Sequence, residues 1–127
     1  MLNCFIYRQS NCYSIVYTGY EMRHPAGFWC ADAAISSICT GFLEYVKEHK
    51  SICNIIEAKT EKGYFSVTVT ARKGDFYAGL ALASAFDAFL YSLKAVEKVY
   101  TYACSLHIDE PASADFGKNK RLSVNAI

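Results

Sequence analysis

"WCADAAISSICTGFLEYV", residues 29–46, is where the chain changes its period. Ala31, Ala34, Ile35, Ile38, Phe42, Tyr45 and Val46 recur at steps of three and four, which marks one face of an α-helix. Lys47, His49 and Lys50 follow in or just past the last turn, where cations suit the helix dipole. Gly41 weakens such a helix slightly without ending it. A hairpin is read on either side of this segment, so its helical period decides the class of the fold.

Upstream, Leu2 to Arg8 alternates loosely and stops at the polar residues Gln9 to Asn11. "CYSIVYTGY" (12–20) is then rich in β-branched and aromatic side chains, so the two segments read as a hairpin. Residues 21–28 hold Pro25 and Gly27 and read as a loop, which starts the helix near Trp29. Downstream, 52–59 and 63–71 form a second hairpin around "TEKG". In its second arm Phe65, Val67 and Val69 alternate with Ser66, Thr68 and Thr70, the pattern of a sheet with one covered and one wetter face. A long helix follows from about Asp75 to Tyr100, its apolar stripe running through Leu82, Phe86, Phe89, Leu93 and Val96, with Leu80 and Leu90 displaced around it. Residues 101–108 close as a short strand. The order ββαββαβ predicts an α/β two-layer sandwich, one mixed five-stranded sheet with two helices. Residues 1–108 form the single domain and 109–127 a polar, poorly ordered tail.

A chain of 127 residues, 53% of them hydrophobic and with a net charge of +1, is globular, and its charge gives no footprint for nucleic acid. The seven glycines build neither a GxGxxG nor a P-loop. "FYAGLALASAFDAFLYSL" (76–93) approaches membrane-spanning length. Asp87 inside it would cost on the order of 3 kcal/mol in hydrocarbon, so a buried helix of a protein away from membranes is expected. The first residues show no cationic segment followed by an apolar run, and the expected location is the cytoplasm. There the six cysteines remain thiols. Without a CxxC pair or a repeated Cys–His spacing, neither a metal site nor any other cofactor is expected.

Chemistry concentrates at Cys30. A thiol reacts as thiolate, and the first turn of a helix is a place where backbone alone stabilises that anion. His24, six residues earlier in the loop, is a candidate base that would shuttle the proton in acyl transfer. The bland alternative is packing: cysteine is among the most buried residue types, and Cys4, Cys39, Cys53 and Cys104 occupy periodic, core-like positions. Phe28 and Trp29 would either receive an apolar side chain of a bound peptide or staple the helix start.

"FWCADAAISSICTGFLEYV", the second hairpin, "DAFLYSLKAVEKVYTYACSLHI" and the element order resemble the ribosomal-processing cysteine protease family, Prp, over about residues 2–108. The resemblance implies a dimeric α/β sandwich and a cysteine endopeptidase. Such an enzyme trims a short N-terminal extension from a ribosomal large-subunit precursor, next to a bulky aromatic pair. It also implies Cys30, followed by Ala31, as nucleophile. The family has Gly-His at the end of its second strand, where this chain has Gly19–Tyr20, so the base is either His24, displaced into the loop, or the position is held by Tyr20. The family's serine four residues after the cysteine is Ala34 here, with Ser36 and Ser37 nearby. Three readings stay open: an active peptidase, a silent relative that binds a peptide in the same groove, and a dimeric scaffold whose cysteine only packs.

Overall fold

Alternating apolar side chains build the sheet, and the structure, a computed structural model, describes residues 1–18, 26–61 and 63–109. Strands β1 (Leu2–Gln9) and β2 (Cys12–Thr18) form an antiparallel hairpin, with Gln9 opposite Cys12 and Ser10 at a positive φ of 53° in the turn. Helix α1 runs Ala26–Glu48. Strands β3 (Cys53–Glu61) and β4 (Tyr64–Ala71) form the second hairpin. Helix α2 (Phe76–Val99) leads to β5 (Cys104–Asp109). The sheet order is β3-β4-β2-β1-β5, antiparallel except for the parallel β1–β5 pair, so it is the mixed five-stranded sheet with two helices that the periodicities require.

Both helices lie side by side over one face. Leu2, Cys4 and Ile6 of β1, Tyr13, Ile15 and Tyr17 of β2, and Phe65, Val67 and Val69 of β4 point into the core. There they meet Ile35, Cys39, Phe42 and Val46 of α1 and Leu82, Phe86, Leu90 and Leu93 of α2. Phe42 packs edge-on against both Phe86 and Phe89, and Gly41 lets the Phe89 ring close on α1. On the opposite face Phe5 and Tyr7 remain exposed, with His107 stacked on Phe5.

Three element ends differ from the sequence reading. Helix α1 starts at Ala26 rather than near Trp29: Phe28 packs against the core, and that burial outweighs the roughly 1 kcal/mol cost of Gly27 in a helix. The second hairpin turns in only two residues, because Glu61 pairs with Tyr64 and Gly63 takes a φ of 78° open to glycine. Residues 101–103 are a turn after α2, closed by the Ala103 N–H donating to the Tyr100 carbonyl, so β5 begins only at Cys104 and reaches Asp109. Within α2 the buried stripe takes in Leu90, while Phe89 is only partly buried. The tail from 110 onward lies outside the described residues.

Helix α2 is long and apolar enough to cross a membrane by length and composition, yet its stripe is spent on the sheet and on α1. Asp87 has a specific role: its carboxylate pairs with Arg8 at 2.6 Å, and the guanidinium lies 5.3 Å from the Phe86 ring centre and 5.4 Å from that of Tyr13. Arg8 is largely covered, so Asp87→Ala leaves a poorly hydrated cation behind. The expected loss is about 1–3 kcal/mol in urea unfolding, with Asp87→Asn, which keeps an acceptor, losing less.

Candidate functional site

One end of the sheet collects the start of α1. Thr18 at the end of β2 pairs with Asn3 on one side and Tyr64 on the other, and Leu2 pairs with Cys104, so four strand termini meet at this edge. Helix α1 leaves from the same edge, and α2 returns to it before β5. The edge is therefore formed by local strand and helix ends from most of the chain.

Cys30 projects from α1 into solvent, whereas Cys4, Cys39, Cys53 and Cys104 are buried and Cys12 is half-buried. All six are free thiols. Because α1 begins at Ala26, Cys30 is its fifth residue, not a member of the first turn. The unsatisfied N–H groups and most of the helix field belong to that first turn, so the helix start contributes less to this thiol than a start at Trp29 would. The two flanking aromatics part company. Phe28 is half-buried with its ring 6.4 Å from that of Tyr102, and Trp29 is exposed. His24 and Tyr20 lie outside the described residues. The other two histidines have structural partners: His49 stacks on Tyr45 and donates to its carbonyl at 2.7 Å, and His107 is 3.1 Å from Asn3 Oδ1.

A polar cluster that the sequence reading did not single out lies two residues from the thiol. The buried Tyr17 phenol donates to Asp32 Oδ1, and Ser36 Oγ donates to the same oxygen at 3.4 Å. Asp32, Ser36 and Thr40 recur every four residues along α1. With Tyr17, Tyr64 and the end of β3 they line a cleft of about 220 Å³. That four-residue polar stripe beside the helix's apolar face was the available signal. Among the described residues, no group of three or more His, Cys, Asp and Glu side chains is placed to hold a metal ion.

Burial first, and the Asp32 carboxylate second, push the Tyr17 phenol well above its usual range. The unfolded chain loses this proton near pH 10 while the folded chain keeps it. The contribution is thus complete below about pH 10 and is lost as pH rises, at up to about 1.4 kcal/mol per pH unit. Tyr17→Phe should flatten this alkaline loss, read as a smaller fall in urea midpoint between pH 9 and 11.

No protein-family model matches the chain, and no curated protein matches it in sequence. Solved structures do match in shape. An essential ribosomal processing protease Prp from S. aureus, in complex with a substrate peptide, superposes with a TM-score of 0.69 at 14% identity, over 86% of this chain and all of that one. The same protease in complex with a covalently linked product peptide gives 0.63 at 16% identity, over 86% of this chain and 100% of that one. SMU.848 from Streptococcus mutans gives 0.65 at 15% identity, over 87% of this chain and 95% of that one. Two helices on one face of a mixed sheet in the order β3-β4-β2-β1-β5 thus give this chain a Prp-like fold.

Proposed function

We propose that the protein is a thiol endopeptidase of the Prp type, which trims an N-terminal extension from a ribosomal large-subunit precursor using Cys30 as nucleophile. The observation that carries this reading is the solvent-facing thiol near the start of α1, in the fold of a protease that has been captured with both a substrate peptide and a covalently linked product. In the proposed reaction His24 takes the Cys30 proton and Sγ attacks the scissile carbonyl carbon. The C–N bond breaks, the amine leaves with the proton from His24, and a thioester remains. Water then gives a proton to His24 and adds to the thioester; the C–S bond breaks and the thiol is restored.

The test uses the full chain and a precursor peptide containing an aromatic pair, with products identified by mass spectrometry. His24→Ala should abolish cleavage and leave the circular dichroism unchanged. If Tyr20→Phe abolishes it instead and His24→Ala does not, the base has been misassigned. A second reading, a silent peptide-binding relative, is favoured by the position of Cys30 past the first helical turn. It predicts peptide binding without any product.

We also propose a homodimer in a reducing, cytoplasmic setting where all six thiols stay free. Aromatic side chains left in solvent on several faces, among them Tyr7, Trp29 and Tyr77, support an interface. Sedimentation at micromolar concentration should give twice the 14.2 kDa of the chain. A concentration-independent monomer overturns this part.

A further inference from the structure

A groove of about 800 Å³ lies between the outer flank of α2 and the edge strand β5. Tyr91, Lys94 and Lys98 of α2 line it at steps of three and four, so they share one helix face, with Leu106 and Ile108 of β5 opposite and Met1 beside them. Its charge is arranged in one direction. Glu97 turns its carboxylate onto the strand, accepting from the Leu106 N–H at 2.8 Å. Lys94 and Lys98 are exposed and, among the described residues, take part in no ion pair; Lys94 Nζ sits 4.8 Å from the Tyr91 ring centre.

One end of the groove lies near the start of α1. Thr101 lines it, and the next residue, Tyr102, packs its ring on Phe28, two residues ahead of Cys30. An extended chain leaving the thiol end along this flank passes Lys98, then Lys94 one helical turn further on, and then Tyr91, with Leu106 and then Ile108 as the apolar wall opposite.

We propose that this groove seats one arm of an extended peptide substrate and selects an arm that carries apolar side chains and a carboxylate opposite Lys94 and Lys98. This rests on the peptidase reading for the direction of the arm. The groove thereby supplies a specificity determinant that lies outside the thiol's own surroundings, set by charge rather than by the residues at the cleaved bond.

Three fluorescein-labelled peptides test it, each with a central aromatic pair and differing only in flanking residues: Glu, Gln or Lys. Binding is measured by anisotropy on the full-length Cys30→Ala chain, and turnover is measured separately on the unsubstituted chain. The expected order of affinity is Glu above Gln above Lys, with about tenfold between the extremes at low salt, shrinking towards 1 M salt. In a Lys94→Glu, Lys98→Glu variant, whose changes are at exposed positions, the order should reverse or vanish while the thermal midpoint stays in place. Equal affinities in the parent, no measurable binding of any peptide, or an unchanged order in the variant each overturn the proposal. So does a change of oligomeric state in the variant, which would mean a second copy covers the groove. A zero-length crosslink between Lys94 and a carboxylate of residues 110–127 in the peptide-free chain would likewise overturn it, with the chain's own end as occupant. Ordered binding without turnover sinks the peptidase reading and keeps the groove; turnover without ordered binding does the reverse.

Discussion

Under the proposed chemistry Cys30→Ala should remove peptide turnover, by about ten-thousandfold or more, and should move stability by no more than about 0.5 kcal/mol. The second half follows from exposure: the side chain is in solvent and its loss opens no cavity. Thiol mapping supplies an independent readout on the folded chain. Cys39 is fully buried, and a hydrogen bond with Cys4, together with burial, pushes its thiol well above the ordinary cysteine range. Burial likewise raises Cys53 and Cys104. Iodoacetamide should therefore label Cys30 first, the half-buried Cys12 later, and the four core thiols only on unfolding. Persistent turnover in Cys30→Ala, or a Cys30 that resists labelling, ends the proposed chemistry.

Phe86→Ala should cost about 3–5 kcal/mol, a large share of the roughly 5–15 kcal/mol that holds a typical domain folded. The ring is 1% exposed and joins three groups at once. It packs at 4.8 Å on Tyr13 of β2 and at 5.5 Å edge-on to Phe42 of α1, and it carries the Arg8 guanidinium on its face. Its removal opens a cavity where α1, α2 and the sheet meet, and takes one aromatic face away from Arg8. The measurement is the urea midpoint at unchanged slope. A loss below about 1.5 kcal/mol would mean that the layers close over the gap. Phe76→Ala, an exposed aromatic on the same helix, serves as the control and should move the midpoint little.

The strands and helices were legible because burial in a two-layer sandwich imprints period two on one and about 3.6 on the other. Phe65, Val67 and Val69 are buried as their alternation demands, and Leu82, Phe86 and Leu93 as their spacing demands. Element ends were less legible, since tertiary contacts set them. The contact of Phe28 with Tyr102 draws α1 back to Ala26 despite Gly27, and nothing local to residues 26–28 encodes Tyr102. The site was legible in part. Cys30 stood out by its place before a helical run, but its distance from the helix start depended on that same tertiary contact. The Tyr17–Asp32 pair joins a strand to a helix across fifteen residues of sequence, and its two halves look like an ordinary strand tyrosine and a helix acid when read apart.

The parallel pairing of β1 with β5 has a consequence for the order of assembly. Leu2 lies beside Cys104, so the first strand of this domain is completed by its last one. Joining segments about a hundred residues apart costs roughly 4 kcal/mol of chain entropy, which β1 recovers only once α2 has already folded back across the sheet. Until then β1 presents one bare flank, Leu2 to Tyr7, with Cys4 at its centre. Synthesis and folding are therefore coupled most tightly at the very end of the domain. A nascent chain halted before residue 104 holds two hairpins and two helices but exposes a sticky strand edge. Such chains should recruit chaperones or pair with one another, and they should lose that tendency within the few residues that release β5.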